Sequence, residues 1–458
     1  MSLKVLKFGG TSVGTVESIS LLKGIVEHEA QTDDIIVVVS ALGGLTDRLI
    51  ATADMAKGRD EAYLAEVTAM QKRHHDMIDA IVAPHRQESL KQYIDAQFAD
   101  LSDLYSTIYN EQRASLETMA AVVSFGELLS SNLTANIIEG AVWKDSREFI
   151  KTETRHSRFT ICEDLTAQLL HDAFLSVPHI TVCPGFISSD CHDGHVTNLG
   201  RGGSDFTAAI LAAELGAEAL EIWTDVDGFM TADPRIIAEA HTIVDMSYSD
   251  AMELCNYGAK VIYPPTLYPV CQKKIPIYVK NTFHASHCGT RIVNKIAALP
   301  SSRLSFCGLS SMKEISVLSI KGPEMQGVYG LHRRIASCLL EKGVEILFMD
   351  SSDDSISLIV RDAACADAVG YLHDEFQNAV RNGRLHPIGA RSGLATVTLV
   401  GSIADSYDIL RERISAVLAR AEVNPILYHL GSEHNSITLV VEKPQVQTAL
   451  NVLHREFL

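Results

Sequence analysis

The sequence predicts an α/β protein in two parts: a sheet with ligand loops at its strand ends, then two ferredoxin-like βαββαβ repeats. Three observations predict it. Apolar strands near the N-terminus run straight into glycine loops, residues 47 to 140 show helical spacing with few glycines, and from about residue 315 a strand–helix–strand–strand–helix order occurs twice.

Residues 3–8 (LKVLKF) read as a buried strand ending in Gly9-Gly10-Thr11-Ser12, with a helix over Val16–Glu29. A second strand, Ile35–Val39, ends at Ser40 and opens into Gly43-Gly44. Beyond the helix-rich stretch, strands are expected at His179–Ser188 and His195–Leu199, joined as a hairpin by the polar turn Asp190–Gly194. A helix over Asp205–Leu215 then leads to a strand over Ala219–Thr224. The repeat pairs ISVLSI (315–320) with ATVTLV (395–400), SISLIV (355–360) with SITLVV (436–441), and LHDEF (372–376) with LHREF (453–457). Its period of roughly 80 residues suits a small domain rather than a solenoid unit.

With 458 residues, 47% hydrophobic and 21% charged, the chain can bury several cores. No apolar run reaches the roughly 18–20 residues that span a bilayer, and the first residues lack a signal-peptide pattern. Nine scattered cysteines without a CxxC argue against a disulfide framework or zinc cluster, so a cytoplasmic location is expected. A net charge of −18 argues against a nucleic-acid surface. An acidic protein that handles anionic substrates must gather its basic residues at one site.

Lys7 ends a strand beside Gly9, Gly10 and Ser12, where backbone N–H groups and an ammonium can receive a phosphate; an ordinary strand-to-helix turn with a solvated lysine is the alternative. Gly200-Arg201-Gly202-Gly203-Ser204-Asp205 precedes a helix and is neither a Walker A loop nor a dinucleotide fingerprint. Arg201 can hold a carboxylate bidentately, and Asp205 can serve either the site or the helix as its N-cap. Thr224 and Asp225 end a strand, and Asp225 suits Mg²⁺ or ribose. Arg235 follows in DPR, within reach of a phosphate. Lys260 is either a helix-end lysine or a phosphate ligand. Glu127 lies in an apolar helical stretch and needs a partner, an ammonium ligand or a structural cation.

Taken in order, KFGGTS (7–12), VVSA (38–41), Gly44-Leu45-Thr46, FGEL (125–128), LGRGGSD (199–205), WTDVDG (223–228), DPR (233–235) and GAKV (258–261) resemble the aspartate kinase family. The C-terminal repeat resembles that family's paired ACT domains. The resemblance implies an amino-acid-kinase (carbamate-kinase-like) three-layer α/β/α catalytic domain over 1–296, a first ACT repeat over 305–388 and a second over 389–458, with strands open to exchange between them. It implies phosphorylation of the L-aspartate side chain by ATP with Mg²⁺, a homodimer or tetramer through the ACT domains, and feedback by threonine or lysine. In that reading Lys7 and Asp205 are catalytic. Ser40, Thr46, Glu127 and Arg201 bind aspartate, with Glu127 on the ammonium. Gly9, Gly10, Ser12, Gly202, Ser204, Thr224, Asp225, Met230, Arg235 and Lys260 bind ATP, and no protein metal ligand is assigned. Met230 departs from the tyrosine of many relatives, which touches nucleotide affinity rather than reaction class.

Effector contacts are expected at Met325, Gly327, Glu345, Leu347 and Asp350, where Leu347 stands at the position of an acidic residue in lysine-sensitive relatives. The segment 350–357 is closer to threonine-responsive bifunctional relatives, so the chain is either a monofunctional enzyme or the kinase part of a longer one. Competing readings are a kinase of another acid and a catalytically silent amino-acid sensor.

Overall fold

The computed structural model describes residues 1–155, 158–294, 305–323, 325, 328–402, 407–431 and 435–458. The chain forms two compact units, Met1–Phe229 with Thr242–Ala251 and Lys260–Ala297, and Met230–His241 with Met252–Ala259 and Ala298–Leu458. Among the described residues, no helix is long and apolar enough to cross a membrane.

The first unit opens with β1 (Leu3–Phe8), α1 (Val16–Glu29) and β2 (Asp34–Val39), followed by the helices α2 (Leu45–Lys57), α3 (Tyr63–Ile81), α4 (Pro84–Glu111) and α5 (Leu116–Ile137). Next come β3 (Val142–Trp143), β4 (Lys151–Arg155), β5 (Arg158–Ile161), α6 (Glu163–Ala173), β6 (Ile180–Pro184), β7 (Ile187–Asp190), β8 (Val196–Asn198), α7 (Gly203–Glu214) and β9 (Ala219–Thr224). β10 (Asp245–Ser247), α8 (Tyr248–Asn256, of which residues from Met252 on belong to the second unit), α9 (Leu267–Lys273), β11 (Ile277–Asn281) and β12 (Thr290–Val293) follow. The main sheet has the order β10-β12-β11-β9-β1-β2-β6-β3, and a smaller sheet has the order β5-β4-β7-β8.

Strands β3, β6, β2, β1, β9 and β11 run parallel. Parallel strands covered on both faces require unbroken apolar runs such as DIIVVV of β2. Alternation sends Leu6, Phe8, Ile35, Val37 and Val39 into the core shared with α1 to α5. Lys7 thereby points to the opposite face, where α7 packs on β1. The strand expected over His179–Ser188 is two strands. It breaks at Gly185-Phe186, where Phe186 takes φ +67°, and β7 then pairs with β8 as the expected hairpin.

In the α3–α4 packing, His74 is fully enclosed against Phe98, ring centroids 5.5 Å apart. Its Nδ1–H donates to the Met70 carbonyl at 2.8 Å. Burial, opposed by that carbonyl and aided by Arg73 and His75, pulls its pKa down to about 4. The unfolded chain therefore takes up a proton near its ordinary value that the folded chain refuses, and stability falls as pH drops from about 6.5 towards 4, by about 3 kcal/mol in all. His74→Leu is expected to flatten that acid limb. Thermal midpoints from pH 8 to 5 should diverge in the variant's favour as pH falls, and parallel curves would exclude His74 as the cause.

The second unit contains β13 (Ser305–Lys321), α10 (Leu331–Glu341), β14 (Phe348–Ser351), β15 (Ser355–Arg361), α11 (Asp362–Arg381), β16 (Gly389–Ser402), α12 (Tyr407–Arg420), β17 (Leu427–Leu430), β18 (Ser436–Glu442) and α13 (Val446–Phe457). Both repeats share one antiparallel sheet, β14-β15-β13-β16-β18-β17. The long strands β13 and β16 change role along their length. Residues 315–321 of β13 pair with β15, whereas 305–313 pair with 395–402 of β16. The first stretch of β16, 389–391, lies beside 317–319. The fourth strand of the second repeat thus precedes the first repeat in the chain. The switch falls at bulges where Glu314 (φ +62°) and Gly393 (φ +73°) take left-handed conformations.

Candidate active site

In an open α/β sheet, ligands bind beyond the carboxyl ends of the strands where the strand order reverses. Here that point lies at β1, flanked by β2 and β9. The loops after β1 and β2 touch backbone to backbone: a Cβ on Gly10 would lie 3.0 Å from the Ala41 carbonyl oxygen. Arg73 on α3 ties the two loops, donating to the carbonyls of Gly43 at 3.1 Å and Gly14 at 2.8 Å.

Lys7 is 8% exposed, and its Nζ lies 2.5 Å from Oδ1 of Asp205. The helix start corrects one expectation: α7 begins at Gly203, so Gly202 (φ +69°) is the N-cap and Asp205 is the third helical residue. The poor helix formers Gly203 and Ser204 disguise the true start. A helix beginning earlier frees the Asp205 carboxylate to face Lys7.

Glu127 on α5 is 4% exposed. Its Oε1 accepts the Ala41 N–H at 3.0 Å, while among the described residues Oε2 is buried without a hydrogen-bond partner. Burial pushes its pKa up to about 8 against the pull of Ala41 and Lys7. Neighbouring Gly126 permits the contact, because a Cβ there would sit 2.7 Å from that of Ala41. Ser130, one turn on, donates to the Ser40 carbonyl at 2.8 Å. Together these contacts fix the β2 loop to α5.

A cleft of about 380 Å³ brings together Lys7, Gly10, Ser40, Thr46, Glu127, Arg201, Gly202, Ser204 and Asp205. It also includes Asp47 and Phe186, which the sequence reading passed over. Phe186 gave no signal, since its strained backbone is set by a tertiary bond from its N–H to Thr207 Oγ1 at 3.0 Å.

The remaining expected residues are more dispersed. Gly9 donates to the Trp223 carbonyl at 3.1 Å. Ser12 is fully buried, and its hydroxyl is bonded to Thr282 Oγ1 at 2.7 Å. Thr224 closes β9 with its hydroxyl 3.2 Å from the exposed Asp225 carboxylate, and Lys260 is exposed. Asp227 is held by Asn281 at 2.7 Å and His284 at 3.1 Å. Met230 and Arg235 belong to the second unit, where Arg235 grips Asp233 through Nε and Nη2 at 2.9 and 2.8 Å. Among the described residues, Asp190, Asp193 and His195 form a group with metal-ligand spacing, and none of them lines the cleft.

Of the expected effector residues, Gly327 lies outside the described residues. Met325 is buried in the first repeat's core. Leu347 packs against a cluster containing Tyr257, Met312 and Ile315. Glu345 and Asp350 stand exposed.

Residues 2–281 match the amino acid kinase family, and residues 318–376 and 397–457 match the ACT domain. A bifunctional aspartokinase/homoserine dehydrogenase of Buchnera aphidicola is 29% identical over 463 residues, covering 99% of this chain and 56% of the relative. The chain spans about half the length of the bifunctional relatives it matches. The crystal structure of E. coli aspartokinase III in complex with aspartate and ADP (R-state) superposes with a TM-score of 0.81 at 25% identity over 99% of both chains. The same enzyme in complex with lysine and aspartate (T-state) gives 0.79, also at 25% identity and 99% of both chains.

Proposed function

The chain belongs to the amino acid kinase family, and from that premise we propose that it is an aspartate kinase, transferring the γ-phosphoryl group of ATP to the side-chain carboxylate of L-aspartate. The observation that carries the reading is the cleft itself, lined by Arg201, by the Lys7–Asp205 pair and by Glu127, a buried carboxylate with one oxygen that has no hydrogen-bond partner among the described residues. An α-amino acid offers the matching ammonium for Glu127 and carboxylate for Arg201. Its second carboxylate is then left to attack.

The attacking oxygen is ionised near neutral pH, so no general base is required. Catalysis is positioning plus neutralisation of phosphoryl charge, with Lys7 as the point charge and Asp205 holding it in place. Ser40 and Thr46 complete the aspartate side, while Gly9, Gly10, Ser12, Gly202, Ser204, Thr224, Asp225 and Lys260 serve the nucleotide. The resemblance adds Met230 and Arg235. The cleft's carboxylates besides Glu127 are Asp205 and Asp47, too few for a protein cage, so an Mg²⁺ would be held mainly by the ATP phosphates, where it would supply charge neutralisation. The ACT repeats bind a feedback amino acid, threonine or lysine, in a homodimer. Leu347, set in an apolar cluster, cannot pair with a lysine ammonium and so favours threonine.

ADP release with L-aspartate, L-glutamate or no acceptor tests the assignment, with the acyl phosphate trapped by hydroxylamine. Aspartate-dependent hydroxamate is expected. Equal rates with glutamate would make it a kinase of another acid, and no turnover would leave a silent sensor.

A further inference from the structure

Strands β1 and β2 end with the Ser40 N–H donating to the Phe8 carbonyl at 3.1 Å. Beyond that bond, among the described residues, no direct hydrogen bond joins the loop 9–15 to the loop 41–44. Glycines bring the two backbones together instead. A Cβ on Gly43 would lie 3.1 Å from the Gly10 carbonyl oxygen, and one on Gly14 would lie 3.4 Å from the Gly43 nitrogen. Glycine surfaces touch without side chains to interlock, so this packing holds the loops close without fixing one against the other.

Arg73 on α3 supplies the missing constraint. Its Nη1 donates to the Gly43 carbonyl at 3.1 Å and its Nη2 to the Gly14 carbonyl at 2.8 Å. Among the described residues neither carbonyl accepts a backbone N–H, so Arg73 satisfies both. The nearby Arg48 is paired with Glu66 at 2.7 Å, whereas Arg73 has no ion pair among the described residues. Burial and Arg48 both oppose its charge. A half-buried guanidinium is thus kept in an unfavourable place with its fork spent on two loop carbonyls. The planar fork has a fixed donor spacing, which holds the two carbonyls at one separation.

Both tied loops line the cleft, one through Gly10 and the other through Ala41, Gly43 and Gly44, while Arg73 is not part of its lining. We propose that Arg73 is a positioning residue for phosphoryl transfer, fixing the two loops to each other and so the distance between the two reactants. The inference rests on the kinase reading, which gives the first loop to the ATP phosphates and the second, with Thr46, to aspartate. Substrates held by separate loops can each bind normally while their reacting atoms are misaligned. The tie therefore acts on the approach of the attacking oxygen to phosphorus rather than on either affinity.

Arg73→Leu removes both donors while keeping an apolar stem. Its kcat is expected to fall about 10–100-fold, with the KM for ATP and the KM for aspartate each held within about threefold. Arg73→Lys, a point charge without the fork, should recover only part of the lost rate. Val67→Ala, a packing loss on the same helix, should lower the thermal midpoint and leave kcat unchanged. Amide hydrogen exchange in the ligand-free protein reads the tie without turnover. Peptides covering 9–15 and 41–44 should exchange about 10-fold faster in Arg73→Leu, and those of β2 and α5 at the wild-type rate. The proposal is overturned if Arg73→Leu or Arg73→Lys keeps full kcat, if the loss falls mainly on either KM, if Val67→Ala lowers kcat equally, or if both loops exchange as in wild type. A wild type that does not phosphorylate aspartate refutes the kinase reading and with it the role in transfer; the exchange rates then judge the loop tie alone.

Discussion

Glu127→Gln is expected to stabilise the ligand-free protein and, in the same stroke, to remove aspartate-dependent activity. The folded carboxyl titrates at about 8 rather than its ordinary 4.5 because burial penalises its charge. Between those values the folded state holds a proton that the unfolded chain releases, so stability falls as pH rises from 4.5 to 8. Glutamine does not titrate. Its advantage should grow across that window and level off above pH 8, at about 2–4 kcal/mol once the cost of a buried amide is deducted. Function moves the other way. Losing a charge-assisted bond to the substrate ammonium should lower kcat/KM for aspartate about 100-fold. Thermal midpoints and kinetics from pH 5 to 9 check both halves, and wild-type and variant stability curves that run parallel would refute the titration argument. A corollary concerns the wild type at pH 7: binding aspartate should release up to about one proton, read by calorimetry in buffers of different ionisation enthalpy.

Lys7→Ala is expected to lower kcat by about 1000-fold or more, with the KM for aspartate changed little, because in the proposed reaction the ammonium acts on charge developing at the phosphoryl group. The same change strands Asp205, whose side chain is 13% exposed and sits at ion-pair distance from Lys7. A stability loss of about 1–3 kcal/mol should accompany it. Lys7→Arg keeps the charge but not its compact shape, and should recover much of the stability and little of the rate. Full turnover by either variant would remove Lys7 from the chemistry.

Much of the cleft's lining was legible in the sequence because it sits at strand ends. An apolar run followed by glycines marks the carboxyl end of a parallel strand, and Lys7, Ser40 and Thr46 all sit at such marks. Arg201 and Asp205 were visible for the same reason, at a glycine-rich turn before a helix. Less legible was anything fixed by packing from afar. Phe186 owes its backbone to Thr207, and Ser12 is engaged by Thr282, 270 positions away. The helix start at Gly203 was misplaced because local propensity argued against it, while the Gly202 left-handed cap decided it. The two repeats could be read from periodicity, yet that pattern does not reveal which strand pairs with which copy.

The exchanged strands of the second unit also set a timetable for synthesis. Residues 305–313 leave the ribosome well before their partners at 395–402 exist. At about 5–20 residues per second, that stretch waits roughly 4–20 s with an unsatisfied strand edge. Ala232 and Ile237 wait longer still for Leu450 and Leu453. The interval is one in which a chaperone, or a neighbouring nascent copy, can claim the open edge. Production of this protein should therefore depend more on chaperone supply and translation rate than its final packing would suggest.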